Sequence, residues 1–241
     1  TVNRGRSTVI FDDIDLLNDS ETFLREIDQR YSEFINVIVS YTKGDALDHL
    51  YCTELSDRAS YYQLKPIDFY EFLTFRGFNG ILERNHSPYQ RRQIDVDSAT
   101  QLKILFNEFI KFGGIPEVVL AEPASKKKDL LSAYIATLLQ KDVQNEGIRD
   151  ISKLYMFIRL LAEKSGQLLN SNECAKQLGL SITAIENYLK VLERLSVISR
   201  IKPFYGNYDK ELRKMPIVYF NDLGIRNSIL GTFQSIEDRY D

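Results

Sequence analysis

A short apolar run rich in β-branched residues, Thr8, Val9, Ile10 and Phe11, ends abruptly in Asp12 and Asp13. A buried parallel strand that delivers carboxylates at its C-terminal edge has this form, and in α/β sheets that edge is where ligands bind. Two acids so placed suit phosphoryl chemistry: Asp12 can hold Mg²⁺ through its water shell, and Asp13 can polarise the attacking water. The same letters also describe a surface turn with solvated aspartates. A second apolar run, residues 34–39, ends in Ser40, Tyr41 and Thr42. Ser40 or Thr42 can therefore sense a γ-phosphate from beside the acid pair.

A different chemistry is written further along the chain. Thr183, Asn187, Lys190 and Arg194 recur at offsets of four, three and four, which places them on one helical face. Asn and Arg can read base edges in a major groove, and Lys can meet a phosphate. Glu186 and Glu193 oppose that charge, and an exposed face of this kind is commonly only solvated. Residues 200–216 add Arg200, Lys202, Lys210, Arg213 and Lys214 against Asp209 and Glu211, a local positive excess suited to a duplex backbone.

The elements that must carry these side chains can be read from the spacing. Phe23, Leu24, Ile27, Tyr31 and Phe34 predict an amphipathic helix over about residues 20–33, so the first strand, this helix and the second strand form a βαβ unit. Residues 61–64 (Tyr-Tyr-Gln-Leu) predict a third strand broken by Pro66, and Asp68 with Glu71 caps a helix faced by Phe69, Phe72 and Leu73. Residues 76–97 lose periodicity and read as a loop. Helices are expected over 98–112, capped by Ser98 and stopped by Gly113-Gly114, and over 129–143, preceded by a solvated basic start at 126–128.

The C-terminal third holds the densest set of signals. Leu154, Phe157, Ile158 and Leu161 face one helix over 151–164. Asn170 with Glu173 opens a second as a capping-box variant, and Gly179 ends it. Ser181 caps a third, with Ile182, Ile185, Leu189, Leu192 and Leu195 as its buried stripe. Two helices about a glycine turn, followed by strands over 197–204 and 216–220, predict a winged helix-turn-helix. Such modules serve in protein docking as well as in DNA binding, and both readings stay open at this point.

Taken together, the stretches VIFDDIDLL, INVIVSYT and ELSDRASYYQLKPIDFYEFL resemble the second half of the ATPase core in bacterial and archaeal AAA-type ATPases that carry a winged helix. FNEFIKFGGIPEVVL, LLQKDV and IVYFNDLGI are similar to that family's later signatures, so the resemblance runs from about Ser7 to Leu230. It implies that residues 8–13 are a Walker B strand, with Asp12 the Mg²⁺ ligand, Asp13 the catalytic acid, Ser40 or Thr42 the sensor and Arg58 a catalytic arginine. ATP and Mg²⁺ are the implied cofactors. Two departures bear on hydrolysis: the family's second acid is Glu, one methylene longer than Asp13, and Asp57 stands where the family has Gly beside the arginine.

No GxxxxGK[ST] phosphate loop occurs in the 241 residues. The expectation is a piece of a longer protein, cut at both ends, that is inactive as an ATPase by itself. Its fold class is α/β plus mostly α: a partial P-loop-type core over 1–75, a helical lid over 76–150 and a winged helix over 151–230. The alternative is a non-enzymatic winged-helix DNA-binding regulator. Double-stranded DNA and self-association through the core are the expected partners.

Composition sets the outer bounds. The chain is 44% hydrophobic, enough to bury a core, with a net charge of −3 that hides an asymmetry. Residues 1–60 carry 6 basic and 12 acidic side chains, whereas residues 151–241 carry 13 and 10, so an anionic partner favours the C-terminal third. Cys52 and Cys174 are far apart, and the two histidines lack ligand spacing, which argues against a disulfide framework or a zinc site. No apolar run approaches the ~20 residues needed to cross a bilayer, and a cytoplasmic location without membrane contact is expected.

Overall fold

Residues 7–11 and 35–39 meet as neighbouring strands because the helix between them returns the chain to the same edge, as a parallel pair requires. The computed structural model describes residues 6–41, 45–78, 96–143, 148, 150–202 and 215–238. Its elements are mostly helical with two small sheets, α/β followed by a largely helical part. The chain divides into two units, residues 1–64 and 65–241, with the sequence-derived segments 76–150 and 151–230 both inside the second.

In the first unit, β1 (Ser7–Phe11) runs parallel to β2 (Ile35–Val39), Ser7 opposite Ile35 and Phe11 opposite Val39. Helix α1 (Ser20–Tyr31) makes the crossover; Asp19 caps it by accepting from the Thr22 N–H, and Phe23 meets the Phe11 ring edge-on at 5.1 Å. Helix α2 (Asp45–Leu50) continues into a wider turn over Tyr51–Leu55.

Two expectations for this unit are corrected. The first strand was expected to be buried, yet Ile10 is 67% exposed and Ile38 54%, because a two-stranded sheet with one described crossover helix leaves apolar side chains uncovered. Residues 61–64 form no strand: they have no ladder partner among the described residues, and Leu64 is 91% exposed. Tyr and Leu favour strands only where cross-strand neighbours receive them. Here the Tyr61 ring rests on Tyr51 instead, 5.6 Å away.

The second unit begins with α3 (Phe69–Phe75), opened by the expected Asp68–Glu71 capping box, and continues with α4 (Val96–Phe112), α5 (Pro116–Leu120) and α6 (Ala124–Thr137). Then come α7 (Ile151–Glu163), α8 (Ser171–Leu178), α9 (Ile182–Arg194), β3 (Ile198–Ile201), β4 (Ile217–Phe220) and α10 (Leu223–Leu230). Strands β3 and β4 are antiparallel, Ile198 opposite Phe220, and a bridge from Leu168 to Ile217 adds a third chain segment. One buried cluster joins Phe157 and Leu161 of α7, Ile185, Leu189 and Leu192 of α9, Val218 of β4 and Ile225 of α10 to Leu131 of α6. A smaller one gathers Phe72, Leu73, Leu105 and Val119.

Local chemistry explains the boundaries. Asn170 accepts from the N–H groups of Asn172 and Glu173, Ser181 accepts from that of Ala184, and Gly179 ends α8 in the left-handed region at φ 61°. Glu173 does not complete a capping box, because Lys164 draws its carboxylate away at 3.1 Å. Ser98 lies inside α4 rather than capping it, and Ile182 is exposed at the first turn of α9 rather than part of the buried stripe. The basic run 126–128 lies within α6, and its middle member is not solvated. Lys127 is 2% exposed and donates to the carbonyls of Val118 and Val119, with the Glu108 carboxylate 3.1 Å away.

Candidate functional site

The parallel register puts the residues after Phe11 and Val39 side by side. The ladder continues for one step, Ser40 N–H to the Phe11 carbonyl at 3.0 Å, and Ile14 N–H then closes onto the Ser40 carbonyl at 3.0 Å. Between these bonds the Ser40 hydroxyl donates to Asp12 Oδ1 and accepts from the Asp13 N–H at 2.9 Å. Asp13 reaches that position by entering the left-handed region, φ 50° and ψ 46°, which Asp tolerates better than most residues. Asp12 and Asp13 are exposed, while Ile14 beneath them is buried and anchors the turn.

Three of the sequence-derived residues, Asp12, Asp13 and Ser40, are thus brought into one hydrogen-bonded chain at a strand edge. Thr42 lies outside the described residues. Arg58 is engaged by α1: its guanidinium is 2.6 Å from Asp28 and also donates to the Glu54 carbonyl. Arg25 binds Glu54 from the same helix at 2.8 Å. Oxygen donors facing solvent suit a hard cation such as Mg²⁺, which typically takes one or two carboxylates and completes its shell with water and phosphate. Among the described residues no group of three or more His, Cys, Asp or Glu is placed to hold a metal by itself. Any cation held here would depend on such outside oxygens.

The second site is the outer face of α9. Ile185, Tyr188, Leu189, Val191 and Leu192 turn into the core, which leaves Thr183, Asn187, Lys190 and Arg194 exposed along the opposite side. Glu186 and Glu193 sit on one flank of that stripe, and both are taken by Arg200 of β3. Nη1 lies 2.9 Å from Glu186 and Nη2 2.6 Å from Glu193. Ser171 of α8 donates to the other Glu186 oxygen at 2.7 Å. The hydrogen bond it donates to Glu193, with the one to Glu186 adding to the effect, holds the Arg200 guanidinium above its ordinary pKa. Sequence reasoning counted Arg200 with the basic residues of the strand region; the structure spends its charge on the two acids. Lys210, Arg213 and Lys214 lie outside the described residues.

A third constellation was not assembled from the sequence. Asp222, 3% exposed, caps α10 by accepting from the Ile225 N–H at 2.8 Å, and its other oxygen accepts from the Gly114 N–H at 2.6 Å, 108 residues away. A Cβ on Gly113 would stand 2.2 Å from an Asp222 oxygen, and one on Gly224 would stand 2.1 Å from the Phe112 carbonyl. Asn227, fully buried, donates to the carbonyls of Ile110 and Lys111 at the C-terminal end of α4. Burial pushes the Asp222 carboxyl above its usual range, against the amide N–H groups that favour its charged form. The far-apart Gly-Gly and Asp-x-Gly elements were the available signal, but only folding shows that they touch.

Residues 103–235 match the family model described as a domain of unknown function (DUF8612). An uncharacterized protein of Methanocaldococcus jannaschii is 29% identical over 188 residues, covering 78% of this chain and 37% of that protein. One of Mycobacterium tuberculosis is 29% identical over 128 residues, covering 53% and 28%, and one of Haemophilus influenzae is 24% identical over 207 residues, covering 84% and 48%. The chain therefore spans less than half the length of each of these relatives. No solved structure matches it. Among the described residues no helix is long and apolar enough to cross a membrane.

Proposed function

The chain belongs to the DUF8612 family, and we propose that it is a piece of an AAA-type ATP-binding protein that couples nucleotide state to duplex-DNA binding through a winged helix. The observation that carries the reading is the strand edge where Asp12, Ser40 and Asp13 share one hydrogen-bonded chain. An acid pair beside a small polar residue on the neighbouring parallel strand is the arrangement a Walker B and sensor pair requires. Asp12 is the metal-holding carboxylate, Asp13 orients water and Ser40 reports the γ-phosphate. Magnesium-bound ATP supplies the phosphate whose presence or loss separates the two states.

In the second unit, α7 to α9 with β3 and β4 are the winged helix, and α4 to α6 are the helical lid. The exposed Thr183, Asn187, Lys190 and Arg194 are its duplex-facing residues. Self-association of the longer protein takes place through the nucleotide core.

The test is Mg²⁺-dependent binding of a fluorescent ATP analogue to the polypeptide that includes the sequence upstream of Thr1. Binding is expected to fall at least ~10-fold with Asp12→Asn, as loss of a metal carboxylate implies. Binding that ignores both Mg²⁺ and Asp12 would sink the ATPase reading and leave the DNA-binding regulator. The chain alone should turn over no ATP, and a hydrolysis rate abolished by Asp12→Ala contradicts this.

A further inference from the structure

The α9 face carries a charge problem that the fold resolves with one side chain. At 3.6 residues per turn, Glu186 and Glu193 lie two turns apart on the flank beside Lys190, close enough to repel the phosphates that Lys190 and Arg194 would meet. Arg200 reaches up from β3 with both ends of its guanidinium occupied, 2.9 Å from Glu186 and 2.6 Å from Glu193. The remaining Glu186 oxygen accepts from Ser171. The Arg200 side chain is largely covered, so it offers little to an external phosphate; its partners are fixed from three elements, α8, α9 and β3.

We propose that Arg200 is a positioning residue that masks Glu186 and Glu193, so that the α9 face meets a polyanionic duplex as a cationic surface. The inference rests on the duplex-DNA reading above and adds to it the residue on which the sign of the surface depends. A planar, always charged fork can span two carboxylates in a way a point charge cannot. Masking works through geometry: the acids remain in place but are neutralised and turned toward β3. Loss of Arg200 does more than subtract one positive charge, because it releases two negative ones beside the phosphate path.

The experiment measures binding of the whole chain to a fluorescein-labelled 30-base-pair duplex by anisotropy, at several NaCl concentrations from ~50 to ~200 mM where phosphate contacts are visible. Arg200→Met is expected to weaken binding at least ~10-fold. Arg159→Met, which removes the same formal charge from an exposed α7 position paired with Glu163, should change it by less than ~2-fold. The triple variant Arg200→Met/Glu186→Gln/Glu193→Gln should return to within ~3-fold of wild type. Failure of that rescue overturns the masking role and makes Arg200 a direct phosphate contact. Should Arg200→Met not fold, Glu186→Gln/Glu193→Gln with Arg200 intact decides: binding equal to or tighter than wild type supports masking, and weaker binding overturns it. A wild-type chain that binds no duplex at all removes the DNA reading itself, and this inference with it.

Discussion

Asp12 and Asp222 each sit at the end of a regular element and accept a hydrogen bond from a residue distant in sequence, but one faces water and the other does not. Asp12 is exposed and takes the hydroxyl of Ser40, 28 residues on. Asp222 is buried and takes the amide of Gly114, 108 residues back, where no Cβ would fit. An exposed carboxylate can trade a hydroxyl for water or a cation at little cost. A buried one cannot, because releasing its partner leaves an unpaired charge in a poorly solvated place. The contrast separates an element end available for chemistry from one that serves as a joint, although both are Asp residues placed just beyond a short strand.

The largest effect is expected at Gly113, where the buried joint leaves no room for a side chain. Its φ of 76° and the 2.2 Å approach to Asp222 predict that Gly113→Ala costs at least about 3 kcal/mol in urea unfolding. Gly231→Ala, at φ 68° with open space around it, should cost only about 1 kcal/mol, which isolates the backbone penalty from the collision. Equal losses at the two glycines would mean that the joint yields.

Asp222→Asn comes next, with an expected loss of about 1–3 kcal/mol from a disturbed buried acceptor. Its pH dependence carries a definite sign. Burial raises the folded pKa of Asp222 above an unfolded value near ~3.9, so the folded state binds the proton more tightly. The stability from this titration is fully present below the unfolded pKa and is lost as pH rises through the folded one. The gap between wild type and Asp222→Asn should therefore be widest in acid and narrow as pH increases, measured by urea melts across that range. The smallest effect is expected at the exposed site. Ser40→Ala should change stability by only about 0.5–1 kcal/mol, and a loss as large as that of Asp222→Asn would make the strand edge a structural joint too.

Much of the local structure was legible in the residues. Asp68 with Glu71, Asn170, Ser181 and Gly179 start or stop helices through bonds to neighbours two to four positions away, so their effect is contained within the segment itself. The adjacency of Asp12, Asp13 and Ser40 was legible as well, because a strand, a helix and a strand of these lengths bring two C-terminal edges together. Lys127 was not: a basic run looks solvated until Val118, Val119 and Glu108 close around its middle member. The stretch 61–64 has the letters of a strand but no neighbour to complete one.

The caps, the glycine turn, the apolar stripes and the residues at the strand edge and along the α9 face could be read from the letters, since they follow from backbone geometry over a few residues. That Arg200 serves Glu186 and Glu193, that Gly114 and Asp222 form one joint and that Lys127 is buried emerges only when the chain folds. The physical reason is distance along the chain: a charge or a hydrogen-bond donor takes its role from the partner that folding brings to it, and the letters around it do not name that partner.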